Sequence, residues 1–258
     1  MQPEDVRTPA DVVALARELL GEDPARAGRV LHVASVWRDA SGAARVLRIG
    51  PETPKSRCDA FLLGLARARA EAIVTTGRIL REEPRVTHAI SGPPALRAAL
   101  EAWRRERLVL ALDPFLLVLS SGRGLDPAHP AFHARLRPVL FVPAAAATGL
   151  RERFADTDVR VASLPEPSLR AGLDHLGRLG ARRITIEAGP STTRELYAEP
   201  ACVDELWLST FAGAPPASHV IGEPLADDAS LRAALPHAGA PALREEASGP
   251  WRFERRWR

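Results

Sequence analysis

The residues with the clearest chemical potential lie in segment 184–191, which reads Ile-Thr-Ile-Glu-Ala-Gly-Pro-Ser. A β-branched strand ends there at an acidic side chain, Glu187, and passes through Ala188 and Gly189 into a helical pattern. Small residues let a ligand approach the backbone, Pro190 suits the first position of a helix, and free amides at a helix start attract anions. The segment therefore predicts that the amides of residues 191–193 face a phosphate. An ordinary strand-to-helix connection is the alternative.

The other reactive side chains form no recognisable site in the sequence. Cys58 and Cys202 lie far apart and have no neighbouring cysteines or paired histidines, so neither a zinc site nor a disulfide is predicted. The sequence also lacks the His-x-Glu and Pro-Cys-x-x-Cys pattern of zinc deaminases. His32, His88 and His175 have no evident partners, and we assign them no role as a general base.

Composition describes a globular chain of 258 residues, of which 46% are hydrophobic and 26% charged. Its 35 basic and 32 acidic residues nearly balance, which argues against nucleic acid as a partner. No run approaches the roughly 18 apolar residues of a membrane-spanning helix, and residues 1–8 do not resemble a signal peptide. We expect a cytoplasmic protein with no membrane partner, built as a single domain over residues 1–258 with a helical extension at residues 1–28.

Alternating strands and helices are predicted to position the turn. Helical periodicity marks residues 9–20, a helix capped by Ser56 or Asp59, and residues 95–107. The apolar runs that predict strands are residues 30–36, 72–76, 115–120, 139–142, 159–162, 183–187 and 205–209. Residues 43–49 return as a hairpin arm, and residues 242–257 alternate as an antiparallel hairpin or edge strand. This rhythm predicts an α/β fold with a mostly parallel central sheet.

Four segments in a fixed order resemble the reductase domain of riboflavin biosynthesis, the C-terminal half of the bifunctional deaminase/reductase. They are Val-Ala-Ser at 33–35, the stretch from Asp59 through Ala-Arg-Ala-Arg-Ala-Glu-Ala-Ile at 66–73, Thr-Thr-Gly-Arg-Ile-Leu-Arg-Glu-Glu-Pro at 75–84, and Glu-Ala-Gly-Pro-Ser at 187–191, followed by Val-Asp-Glu-Leu at 203–206. The similarity covers roughly residues 29–225. It implies a dihydrofolate-reductase-like fold of three α/β/α layers, an NADPH cofactor and a stand-alone reductase.

The resemblance also implies which residues contact the ligands. The implied NADPH contacts are Ala34, Thr76, Gly77, Arg78, Glu82, Ser121, Gly189, Pro190, Ser191, Thr192 and Thr193. The implied contacts to a sugar-phosphate substrate are Ser35, Arg67, Val86 and Glu187. An Arg suits a phosphate and a Glu suits ribose hydroxyls, although Arg67 alone is equally consistent with a surface position and Thr76-Gly77 with a tight turn.

Three departures from the family pattern concern the site itself. Trp37 stands where the family usually has an aspartate, and Arg78 stands where a threonine is common. The charge of Arg78 suits the 2′-phosphate of NADPH, but its bulk could instead obstruct the site. Residues 88–113 are longer and less familiar than the family's segment, which suggests a rebuilt substrate end.

The leading hypothesis is therefore an NADPH-dependent reductase of a small heterocyclic or sugar-phosphate substrate, of the type that reduces 5-amino-6-(5-phosphoribosylamino)uracil. The proton donor is unassigned. Two alternatives remain open: a catalytically degenerate nucleotide-binding or regulatory protein, and a pterin or folate reductase on the same fold. The family commonly forms homodimers through sheet edges, and apolar alternation at residues 206–211 and 251–257 is compatible with such an edge.

Overall fold

The computed structural model of the protein describes residues 1–26, 28–214 and 216–258. The expected end of the N-terminal extension, residue 28, adjoins residue 27, which lies outside this description. The strands are β1 Val30–Arg38, β2 Ala44–Leu47, β3 Ala72–Thr76, β4 Phe115–Leu119, β5 Arg137–Pro143, β6 Arg160–Leu164, β7 Ile184–Ile186, β8 Glu205–Phe211, β9 Ile221–Pro224, β10 His237–Ala238, β11 Ala242–Glu246 and β12 Gly249–Trp257. The α-helices are α1 Pro9–Leu20, α2 Arg57–Arg69, α3 Gly77–Glu82, α4 Pro94–Arg107, α5 Ala144–Arg153, α6 Leu169–Arg178, α7 Pro190–Tyr197 and α8 Asp228–Ala234.

Seven parallel strands form the centre of the sheet, in the order β8-β1-β7-β3-β4-β5-β6. On the β8 side the C-terminal strand β12 pairs antiparallel with β8, and β11 pairs antiparallel with β12. The hairpin arm β2 pairs with the distal end of β1. The predicted mostly parallel sheet with a C-terminal antiparallel hairpin is confirmed.

Helices cover both faces of the sheet, because the strand side chains alternate between two apolar layers. Leu31 of β1 packs with α1, α2 and α4 on one face, whereas Val30 and Val36 pack with α6, α7 and α8 on the other. Helix α5 covers strands β4 and β5 on the same face as α2. The three-layer α/β/α arrangement is therefore confirmed. Helix α1 buries its apolar side against α4 and β12 and so forms part of this core.

Side-chain caps fix where two site-bearing helices begin. Ser56, not Asp59, caps α2, because its hydroxyl accepts a hydrogen bond from the backbone amide of Asp59 at 2.9 Å. Thr76 caps α3 in the same way, accepting the amide of Ile79 at 3.3 Å. The Thr76-Gly77 step is thus the start of a short helix, which the sequence did not predict, and not only a tight turn.

The strands proposed from the sequence as a sheet edge lie inside the sheet instead. Strand β8 is hydrogen-bonded to β1 on one side and to β12 on the other. Strand β12 in turn is covered by β10 and β11. Their apolar side chains, including Trp251 and Phe253, are buried in the chain's own core, so the alternation at 206–211 and 251–257 gives no support to a dimer interface. Within the described ranges no helix has the length and apolarity needed to cross a bilayer.

Candidate functional site

A cavity of about 1080 Å³ opens at the carboxyl ends of the parallel strands. Its walls include the residues at or just after the ends of β3, β4, β5 and β7. Parallel α/β sheets bind ligands at this edge, because loops diverge there and helix N-termini point toward it. Volumes of roughly 300–1,000 Å³ are typical for one drug-sized ligand, so this cavity has room for a dinucleotide and a second small molecule.

Most residues implied by the resemblance line this one cavity. From the cofactor set it brings together Ala34, Thr76, Arg78, Glu82, Ser121, Gly189, Pro190, Ser191 and Thr192. All four residues of the substrate set also line it: Ser35, Arg67, Val86 and Glu187.

Gly77 and Thr193 belong to the cofactor set but not to the cavity wall. A Cβ on Gly77 would lie 2.5 Å from the hydroxyl oxygen of Ser120, so this glycine is required by protein packing. Thr193 is fully buried in α7, where its hydroxyl donates to the carbonyl of Gly189 at 3.4 Å. Both positions thus have structural explanations that involve no ligand.

The strand-to-helix turn at Gly189 has room for a ligand but fewer free amides than expected. A Cβ built on Gly189 would meet nothing within 4 Å, and no side chain caps α7. The amides of Thr192 and Thr193 donate to the carbonyl of Gly189 at 3.0 and 3.1 Å. The expectation that residues 191–193 all present free amides is therefore wrong. Of the three amides, only that of Ser191 is left by these two bonds to donate to a ligand. The space beside Gly189 is compatible with a closely approaching phosphate.

Arg67 and Glu187 bind each other in the wall of the cavity. The Arg67 guanidinium donates from Nε and from Nη2 to the two carboxylate oxygens of Glu187, at 2.8 and 2.7 Å. Both side chains are buried, with exposed fractions of 7% and 8%. Burial alone would raise the pKa of Glu187, but Arg67 and His88 lower it to about 2. The carboxylate is thus fixed in its charged form and is already neutralised by the protein.

His88, to which the sequence assigned no role, completes this group. Its Nδ1 lies 2.8 Å from Oε2 of Glu187, and its side chain is 2% exposed. Arg67 also donates to the carbonyl of Ala89 at 3.2 Å and to the hydroxyl of Ser91 at 3.4 Å. Arg67 therefore holds the loop that carries His88 against Glu187. A loop histidine before α4 carries no periodic signal, so its partner could not be identified from the sequence.

Asp59 is a second cavity residue, which the sequence indicated as part of a family-like segment and as a candidate helix cap but not as a ligand contact. Its carboxylate accepts the hydroxyl of Ser35 at 2.7 Å, and it lies in the first turn of α2 on the cavity wall. Burial raises the pKa of Asp59, against the hydrogen bonds of Ser209 and Ser35, and the nearby charge of Glu246 raises it further. Asp59 is a carboxyl group that can retain a proton more readily than an exposed aspartate.

Arg78 and Glu82 form an exposed ion pair on the cavity wall. The Arg78 Nε lies 2.7 Å from Oε1 of Glu82, one helical turn away, and both side chains are 59% exposed. The hydrogen bond to Glu82 raises the pKa of Arg78, which therefore stays charged. An exposed pair of this kind is weak, so a ligand phosphate can compete with Glu82 for the guanidinium.

Two further residues noted in the sequence have clear positions. Trp37 packs against the apolar cluster beneath α1 and α2 and is not among the residues that line the cavity. His32 lines the cavity, and its Nδ1 lies 2.7 Å from the hydroxyl of the buried Tyr197. Burial lowers the pKa of His32 to about 3, so its imidazole is neutral. No group of three side chains able to hold a metal ion occurs in the described part of the chain.

The fold is similar to that of solved structures described as pyrimidine or riboflavin biosynthesis reductases. No protein-family model matches the sequence, and no curated protein matches it. A pyrimidine reductase-like protein from Corynebacterium diphtheriae is 22% identical, with a TM-score of 0.61 over 97% of this chain and 98% of that one. The riboflavin biosynthesis reductase Rib7 of Saccharomyces cerevisiae is 11% identical, with a TM-score of 0.55 over 95% and 98% of the two chains.

The bifunctional protein RibD of Acinetobacter baumannii has a TM-score of 0.58 at 15% identity, over 90% of this chain. This chain spans 58% of the length of that protein. At these identities the likeness establishes the fold, which is the reductase fold that the sequence motifs implied. The chemistry has to be argued from the cavity.

Proposed function

We propose that the protein is an NADPH-dependent reductase of a small heterocyclic or sugar-phosphate substrate, of the type that reduces 5-amino-6-(5-phosphoribosylamino)uracil. The observation that carries this proposal is the large cavity at the strand ends. Nine of the eleven residues implied for the cofactor and all four implied for the substrate line it. The reductase fold of the solved relatives supports the same class of reaction.

The cofactor end is proposed to run from Arg78 to the turn at Gly189. The open space beside Gly189 and the Ser191 amide would receive the pyrophosphate. Arg78 would leave Glu82 to bind the 2′-phosphate, which distinguishes NADPH from NADH. When bound there, NADPH supplies the hydride; the chain's own residues orient it toward the substrate.

The substrate end is proposed to lie between Ser35, Asp59 and the Arg67–Glu187 pair. Reduction of a C=N or C=O bond consumes a proton as well as a hydride, and burial raises the pKa of two cavity carboxyls, Asp59 and Glu83. Of the two, Asp59 is hydrogen-bonded to Ser35 of the substrate set. Asp59 is therefore our candidate for the group that holds this proton, with Ser35 orienting its carboxylate. Arg67 could contact a substrate phosphate only if it released Glu187, so the pair more readily shapes the wall of the site than binds an anion.

The test is a titration of the protein with NADPH and with NADH, followed by nicotinamide fluorescence. Gly189→Asp should abolish binding, because it places a carboxylate where the phosphate would lie. Gly149→Asp is the matched control, because a Cβ there also meets nothing within 4 Å and Gly149 is outside the cavity. Arg78→Ala should remove the preference for NADPH over NADH. Equal binding by wild type and Gly189→Asp would reject the proposed cofactor site.

An assay of NADPH oxidation by the same purified protein then distinguishes the alternative functions. A nucleotide-binding protein without activity would bind NADPH but would not oxidise it in the presence of any pyrimidine or pterin substrate. The closed ion pair between Arg67 and Glu187 is the observation that favours this candidate. A pterin or folate reductase would oxidise NADPH with a pterin and not with a pyrimidine. A homodimer and a cytoplasmic location also stay predictions, and light scattering at micromolar concentration would reject the dimer if it gave the mass of one chain.

A further inference from the structure

His88 is held in an unusual backbone conformation beside the cavity. Its φ is 56°, in the left-handed region that non-glycine residues rarely adopt. Two sets of contacts hold it there: the bond from its Nδ1 to Glu187, and the bonds from Arg67 to the following loop. Local strain of this kind persists only where surrounding contacts determine it, and it is frequent at ligand sites.

The imidazole of His88 has one polar atom without a partner. Its Nε2 is buried and makes no hydrogen bond to any residue that the structure describes. Buried polar atoms in folded proteins are nearly always paired, so this atom calls for a partner that is not part of the chain. The side chain lines the cavity, which is where such a partner would come from.

The contacts of Glu187 decide which kind of partner Nε2 can take. A carboxylate oxygen only accepts, so the hydrogen of the imidazole lies on Nδ1. In the neutral ring Nε2 is then an acceptor. The group that it recognises is a hydrogen-bond donor, and an anion would find a lone pair facing it.

We propose that His88 is a specificity-determining residue that accepts a hydrogen bond from an N–H or O–H group of the bound ligand, as a pyrimidine-dione ring N–H would provide. The inference rests on the proposed function for the identity of the ligand as a substrate. It also changes the roles implied for Arg67 and Glu187: they position His88, and His88 makes the contact.

The experiment compares two probes, 5,6-diaminouracil and its 1,3-dimethyl derivative, which lacks both ring N–H donors. Calorimetric titrations at pH 8 with saturating NADPH should show that wild type binds the first at least about tenfold more tightly, since an unpaired buried acceptor is costly. His88→Gly should bind the two probes within about twofold of each other. Glycine adopts the φ of 56° without strain, so this variant should fold, and thermal melting checks that it does.

Val109→Gly is the matched control. Val109 also has a left-handed φ, 57°, but it lies 81% exposed in the loop after α4 and outside the cavity. The Val109→Gly variant should keep the wild-type ratio of affinities for the two probes. A second measurement on wild type is the ¹⁵N resonance of Nε2 in protein labelled at histidine, which should move when diaminouracil is added.

The inference would be overturned by a wild-type ratio near one, by a wild-type ratio retained in His88→Gly, or by an Nε2 resonance that diaminouracil leaves unchanged. Failure of wild type to bind either probe would overturn it too, while NADPH binding in the same sample would leave the cofactor half of the proposed function standing. Discrimination by His88 without any NADPH binding would instead reject the reductase and keep the ligand site.

Discussion

Replacing Glu187 by glutamine should destabilise the protein by about 3 kcal/mol at neutral pH. The fall in the pKa of Glu187 from an ordinary 4.5 to about 2, at 1.36 kcal/mol for each tenfold change in proton affinity, corresponds to about 3 kcal/mol. Removal of one partner from a buried ion pair typically costs about 3–5 kcal/mol, because the other charge stays buried and uncompensated. Here that charge is Arg67, whose side chain is 7% exposed.

The lowered pKa of Glu187 also predicts how the loss of stability in Glu187→Gln changes with pH. Because the folded state lowers the pKa of Glu187, its contribution is complete above the unfolded pKa of about 4.5 and is lost as the pH falls toward 2. Urea unfolding of wild type and of Glu187→Gln should therefore differ by a constant amount between pH 5.5 and about 7. The difference should shrink to less than about half of that value by pH 3.

A matched variant and a double variant complete the test. Glu82→Gln removes a carboxylate from an ion pair with the same 2.7 Å contact but 59% exposure, and it should change stability by less than about 0.5 kcal/mol. Adding Arg67→Met to Glu187→Gln should recover part of the loss, because no charge is then buried alone. Equal losses from Glu82→Gln and Glu187→Gln, or a difference that does not change with pH, would refute the argument that burial strengthens this pair.

Three smaller predictions concern other parts of the structure. Gly77→Ala should lower stability by about 1–3 kcal/mol in a thermal melt, because the new methyl group would lie 2.5 Å from the Ser120 hydroxyl; an unchanged melting temperature would contradict this packing. Tyr197→Phe removes the hydroxyl bound to His32 and should cost about 1 kcal/mol in urea, with the cofactor affinity changed less than about twofold. Burial raises the pKa of the Cys58 thiol to about 12, so iodoacetamide at pH 8 should leave Cys58 unmodified until the protein unfolds, and mass spectrometry would detect the opposite.

The sheet could be predicted from the sequence because its strands are buried on both faces. Residues of β3, β4 and β5 form continuous apolar runs, and such runs give a clear signal whatever the surrounding structure. Four short elements, α3, β9, α8 and β10, are not predicted by the sequence. Strand β9 is four residues long and pairs only with β2, so its pattern is too brief to separate from a loop. The start of α3 resembled a turn because its cap, Thr76, precedes a glycine.

The site could be predicted only in part, for a reason that Arg67 illustrates. Its position on the cavity wall followed from motif order, but its partner lies 120 residues away in the sequence. The family resemblance implied a ligand contact for Arg67 and for Glu187, whereas the fold pairs the two side chains with each other. His88 contacts Glu187 across 99 residues, from a loop without periodicity. Contacts between residues so far apart in the sequence depend on the topology of the sheet, which local sequence patterns do not specify.

Trp37 was one of the two reasons to suspect a site without activity, and its position weakens that reason. It stands where related reductases usually have an aspartate, yet its side chain packs under the helices and is absent from the cavity wall. A carboxylate nevertheless reaches the cavity beside Ser35, from Asp59 on α2. The case for an inactive protein therefore rests on the Arg67–Glu187 pair and on Arg78, and both can be tested by substitution.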